Sequence, residues 1–148
     1  MPRSTAINAN QKLAALRELW ERKRSGRTMP ARADFNVGAL RPWLGNLALI
    51  DVPSNIFRVC GTNLMSRFGG DATGHKLAAL DEAVAASVMS AIDRARTTKA
   101  PNDSAYQCIV AGYLVRFQEL VLPLSDDGTE VSTILLGSYE AETRPAWR

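Results

Sequence analysis

Residues 61–80, GTNLMSRFGGDATGHKLAAL, decide how the chain is read. They hold four of its ten glycines and its only histidine. A loop of this kind can cradle a phosphate, carry a metal or a catalytic pair, or connect a strand to a helix. The glycines form neither GxxxxGK[ST] nor a GxGxxG opening a helix, so the phosphate reading lacks its geometry. A structural zinc needs four ligands, and one histidine with no cysteine cluster does not supply them. Asp71 and His75 can pair as orienter and base for a serine nucleophile. A glycine-rich loop, however, gives such a pair little rigid support. Asp71 and Thr73 suit a turn whose side chains bond local backbone N–H groups. Asn63 suits the cap of a helical turn in NLMSRF. The connector reading is the expected one, and the flanking residues test it.

Upstream, LALIDV and IFRVCGT are two β-prone runs separated by PSN, a hairpin signal. Downstream, Leu80, Val84, Val88 and Ile92 recur every four residues, which predicts a helix over 79–97 with a narrow apolar seam. AYQCIVAGY, LVRFQELVLPL and VSTILLGSYEAE then read as three strands, joined near Ala111-Gly112 and at SDDGTE. The order β-β-α-α-β-β-β predicts an α+β domain: one five-stranded antiparallel sheet with helices on one face. A helix over 6–24 precedes it, with Leu13, Leu16 and Trp20 on one side, and a short helix near 36–41 is closed by Pro42. The apolar side of the first helix must pack on the domain or on a second copy. Leu13, Leu16 and Trp20 are its expected dimer face. The chain divides into an extension (1–45), a core (46–142) and a tail (143–148).

The 148 residues suit one domain that needs no disulfide. Cys60 and Cys108 match no zinc or redox spacing and are expected as free thiols in a reducing cytoplasm. The first residues lack the apolar core of a signal peptide, and no run approaches the ~20 residues of a membrane span. Net charge is +3 but uneven: residues 1–45 hold nine Lys/Arg and three Asp/Glu. Arg22, Lys23, Arg24 and Arg27 form the basic cluster. Nucleic acid is one possible partner for it, but a helix C-terminus favours cations without any partner.

With these motifs in this order, the chain resembles a PAS domain. The resemblance covers about residues 15–140. It is closest to a bacterial subfamily of small, often single-domain PAS proteins. The matching positions are Trp20; Pro30, Arg32 and Asp34 of MPARAD; Asp51; Arg58, Gly61 and Thr62 of FRVCGT; and Asp71, Thr73 and Gly74 of DATG. The resemblance implies a non-enzymatic sensory or regulatory module in signal transduction. Such a module acts through a regulatory protein partner, as a homodimer through the first helix, with or without a small ligand between sheet and helices. No cofactor is assigned. Haem is not expected, because haem-binding relatives carry their histidine on the connecting helix. A covalent flavin adduct is not expected, because neither cysteine has the required context. The candidate pocket comprises Leu49, Phe57, Val59, Leu64, Phe68, Val84, Val88, Tyr106, Cys108, Tyr113, Val115, Phe117 and Leu135. Arg58 is expected to pair with Asp51 across the first hairpin. The alternatives are a small ligand-binding enzyme using Asp71 and His75, and a nucleic-acid-associated regulator using the basic cluster.

Overall fold

A computed structural model describes residues 2–147, with side chains from residue 8 onward. Helix α1 spans Pro2–Arg24 and is followed by a short α2 at Val37–Leu40. Asn36 caps α2, its Oδ1 accepting from the Ala39 N–H at 2.8 Å. Strands β1 (Leu47–Asp51) and β2 (Ile56–Cys60) form the first hairpin. The one-turn helix α3 (Met65–Phe68) and the long α4 (Glu82–Thr98) come next. Strands β3 (Asn102–Val110), β4 (Tyr113–Leu124) and β5 (Thr133–Pro145) complete the chain. All pairings are antiparallel, in the order β2-β1-β5-β4-β3. The α+β fold expected from the sequence is therefore present. Ala111 and Gly112 both have positive φ, as a two-residue hairpin turn requires.

The strands differ in length, and this shapes the molecule. β1 starts at Leu47, opposite Gly137. β5 runs on to Pro145 beside β4, so its residues 138–145 have no strand on the β1 side. A notch results where the short hairpin stops and the long strands continue.

Paired residues share a face of the sheet. On the inner face lie Ile50, Phe57, Tyr106, Cys108, Phe117 and Val121, toward α3 and α4. Asp81 caps helix α4, its side chain accepting from the Ala83 N–H. The helix buries Val84, Val88 and Ile92 with three alanines, and the small residues let it lie close to β3.

The other face is covered by the N-terminal extension. A Cβ at Gly137 would meet Leu16 at 2.7 Å and Leu13 at 3.2 Å, so the missing side chain lets α1 lie directly on β5. The Trp20 Nε1–H donates to the Pro123 carbonyl at 2.9 Å. Leu13, Leu16 and Trp20 are consequently buried against the sheet of their own chain. This corrects the expected dimer face: burial of those side chains is satisfied within one molecule. The basic cluster is likewise partly occupied. Arg27 donates to the Lys23 and Arg24 carbonyls at the end of α1 and pairs with Asp34 at 2.7 Å. Arg24 pairs with Glu21. These bonds satisfy the orphan carbonyls of a helix C-terminus.

Candidate functional site

The segment after β2 is placed by one residue without a side chain. A Cβ at Gly61 would collide with the Gly45 carbonyl, so only glycine lets the two backbones cross. The Gly61 N–H donates to the Leu47 carbonyl at 2.7 Å, which fixes the segment at the start of β1. Thr62–Leu64 then form a 3-10 turn leading into α3. Gly69 closes α3 with φ 78°, and the Gly70 N–H returns to the Met65 carbonyl at 2.8 Å. Asn63 does not cap this turn. Its side-chain amide donates to Asn46 Oδ1 at 2.8 Å, tying the segment to the loop before β1.

That geometry points Arg67 into the interior, where it meets charge. The Arg67 side chain is 2% exposed and that of Glu119, on β4, is 0% exposed. Their closest N–O distance is 3.7 Å. Arg67 Nη1 also donates to the Ser138 hydroxyl on β5 and to the Tyr106 hydroxyl on β3 at 3.2 Å. The Ser138 hydroxyl passes a hydrogen bond to Glu119 Oε2 at 2.8 Å. The guanidinium carbon lies 3.5 Å from the centre of the Phe117 ring, a cation–π contact shielded from water. Four side chains from α3 and three strands thus form one connected polar cluster. Its bonds are incomplete: Arg67 Nε and Glu119 Oε1 are buried and have no partner. Burial pushes the Glu119 carboxyl up, against the Ser138 bond and the Arg67 charge, which pull it down. Burial also raises the Tyr106 phenol, and the Glu119 charge adds to this.

Beside the cluster lies a hollow of about 490 Å³ in the notch. Asn46, Thr62, Asn63, Ser66, Arg67, Val110, Phe117 and Glu140 line it, and it reaches round the open edge of β5 to Tyr139 and to Asn8 of α1, since Tyr139 pairs with Gln118 on the outer face. Tyr139 is 7% exposed and its hydroxyl has no partner. Burial pushes its phenol up to about 12. The hollow is polar, and two of its lining residues carry buried polar atoms without partners.

The structure divides the residues expected from the sequence. Phe57, Leu64, Phe68, Val84, Val88, Tyr106, Cys108, Val115 and Phe117 come together between the inner face and α3 and α4. Leu49, Val59 and Leu135 do not. They lie on the outer face, in an apolar groove with Phe35, Leu40 and Leu44 of the extension. The pleat is the reason, since each alternates with an inward neighbour. Tyr113 sits at the far tip of the β3–β4 hairpin and is 49% exposed, too far along the strand to reach the interior. Asp71 Oδ1 accepts from both the Thr73 N–H and the Thr73 hydroxyl, a local turn as expected. His75 is exposed and enters the fold through its backbone, its carbonyl accepting from the Phe57 N–H. Arg58 pairs with Asp51 across the first hairpin. In MPARAD, the Asp34 carboxylate accepts from the Ala31 N–H, Arg32 donates to the Phe35 carbonyl, and the Pro30 carbonyl accepts from the Ser125 N–H. The loop therefore ties the extension to the end of β4. Among the described residues no group of three or more His, Cys, Asp or Glu is placed to hold a metal.

Arg67, Glu119, Ser138 and Tyr139 were not expected from the sequence. A signal did exist for one of them. In LVRFQELVLPL, Glu119 is in phase with Phe117 and Val121, so alternation puts a carboxylate on the buried side. A charge there requires a buried partner.

A family model described as the PAS domain matches residues 9–139. No curated protein matches the sequence. The fold is similar to that of a sensory box sensor histidine kinase from Vibrio cholerae. The identity is 17%, 70% of this chain and 88% of that chain are covered, and the TM-score is 0.53. The PAS domain of Bordetella pertussis BvgS is 15% identical over 70% of this chain and 85% of that one, with a TM-score of 0.54. The N-terminal domain of a diguanylate cyclase with a PAS/PAC sensor from Marinobacter aquaeolei is 13% identical over 65% and 94%, with a TM-score of 0.51. At these identities the similarity is one of fold. No helix among the described residues is long and apolar enough to cross a membrane.

Proposed function

The chain belongs to the PAS domain family, whose members are sensory modules of signal transduction, and from this premise we propose that it is a non-enzymatic sensor acting through protein contacts. A small ligand between the sheet and the 62–68 segment gates those contacts. The observation that carries this reading is the Arg67–Glu119 pair. A buried ion pair is expensive to form, and replacing one by apolar residues of similar volume is often neutral or stabilising. A charge pair with open valences beside a hollow is suited to a two-state element, because a small change in its bonding moves α3 relative to the sheet. The segment it holds continues into the exposed turn at 73–76, where a partner can read its position. We place the protein in the cytoplasm, where its unbonded Cys60 and Cys108 stay reduced.

Hydrogen exchange tests this reading. The protein as purified is compared with the same protein denatured, desalted and refolded. Faster exchange confined to 62–77 after refolding supports a gating ligand lost on denaturation. Identical exchange throughout contradicts it.

A further inference from the structure

The outer face has an opening that the sensory reading does not use. Val59, Leu49 and Leu135 stand in one cross-strand row on β2, β1 and β5. The extension borders this row, and an apolar groove of about 300 Å³ lies between the two. Leu49 and Leu135 are already buried beneath it, so its open apolar surface comes from Val37, Leu44 and Val59. Seven large hydrophobic side chains are exposed among the described residues, and these are three of them. Such residues scattered singly need no explanation, but three brought together from separate elements around a concavity mark a binding surface. The volume sits at the low end of the range for small-ligand sites. A partner helix would need a longer trough, with anchors spaced over successive turns.

One charge meets this groove. Arg32, in the MPARAD loop, is the only charged residue among the described residues that line it. Arg32 is half-buried and forms no ion pair among the described residues. Its neighbour Asp34 is engaged by Arg27 and the Ala31 N–H instead. Arg32 Nη1 donates to the Phe35 carbonyl at 3.0 Å, which fixes the guanidinium. Nε–H and Nη2–H are left over, and together they form the fork that takes a carboxylate through two parallel bonds. An apolar groove with one unpaired cation and no acid suits a molecule that is apolar along its length and anionic at one end. We propose that the groove binds a free carboxylic acid with a short acyl chain. The chain packs on Val37, Leu44 and Val59, and the carboxylate accepts from Arg32. The site lies across the sheet from Arg67 and Glu119, and it does not depend on the sensory reading of that pair.

The test titrates the intact chain, labelled with nitrogen-15, with octanoate, hexanoate and octanol. Octanoate is expected to shift the amides of 37–49 and of Val59 saturably, together with the side-chain Nε–H resonance of Arg32. Hexanoate, two methylenes shorter, is expected to bind more than about tenfold more weakly, because each buried methylene contributes about fourfold. Octanol keeps the chain and lacks the charge, and is expected to bind at least about tenfold more weakly than octanoate. Arg32→Gln is expected to bring octanoate down to the level of octanol and to leave octanol unchanged. Val59→Asp, at an exposed position of an edge strand, is expected to abolish octanoate binding while amides outside the groove keep their positions. Octanoate that shifts nothing saturably, or shifts a different set of residues, overturns the proposal. So does octanol binding as well as octanoate. If the same amides move with protein concentration alone, the groove is a contact between copies of this chain, and the proposal falls as well. None of these outcomes bears on exchange at 62–77, so the sensory reading stands or falls separately.

Discussion

Arg67 and Glu119 sit where the fold can least tolerate a lone charge. Arg67→Met leaves the Glu119 carboxylate buried and unpaired, and is expected to lower the unfolding free energy by about 3–5 kcal/mol in urea denaturation. The double variant Arg67→Met/Glu119→Leu is expected to recover most of that loss. A double variant no more stable than the single one would show that packing, rather than unpaired charge, is the cost. The same pair sets a pH dependence. Burial raises the folded-state carboxyl of Glu119 above its ordinary 4.5, so the folded chain binds that proton more tightly than the unfolded chain. Its contribution is complete below the ordinary glutamate range and is lost as pH rises through the folded value. The melting temperature of the wild type relative to Glu119→Gln should therefore fall as pH rises above the ordinary glutamate range. A difference that is flat, or rises, contradicts a raised carboxyl. Asp34 has the opposite sign. The Ala31 N–H and Arg27 hold its carboxyl below the ordinary range, so its contribution is present at neutral pH and lost on acidification.

Among the elements, α1 shows what a sequence can and cannot locate. Its apolar spacing predicts a helix and names the side that must be covered. Spacing does not say what covers it. The answer depends on Gly137, a residue 117 positions beyond Trp20 whose absent side chain makes room for the helix. Trp20→Ala is expected to cost about 3–5 kcal/mol, as for other large-to-small core changes. The oligomeric state measured by light scattering should not change. A variant that keeps its stability but changes oligomer would restore the dimer-face reading. Gly61→Ala is expected to destabilise by about 1–3 kcal/mol through overpacking at the Gly45 backbone, seen as a lower denaturation midpoint. The strands were legible for a similar reason. Alternation in β4 and the Ala111-Gly112 and Asp127-Gly128 turns are local signals, recorded in a few consecutive residues. The faces were not legible to the same degree. Leu49, Val59 and Leu135 look like any core residue, and only register against neighbouring strands assigns them to the outer side. The polar cluster was the least legible, because Arg67, Tyr106, Glu119 and Ser138 lie on four elements and meet only when the sheet is assembled.

At the scale of the molecule, the two faces divide the work. The outer face is closed by α1 and the MPARAD loop, which lock the extension onto β4 and β5. The inner face is closed by α4 over an apolar layer, except where α3 lowers Arg67 onto Glu119. There the unequal strand lengths open the notch, so Arg67, whose buried Nε has no partner, lies at the hollow. The central claim is that a small molecule occupies this place and gates what a partner protein reads. Native mass spectrometry on the protein as purified, beside a denatured control, tests it most directly. The account predicts an extra non-covalent mass that disappears on denaturation. A bare chain in both spectra, from protein purified by gentle and rapid steps, would contradict it.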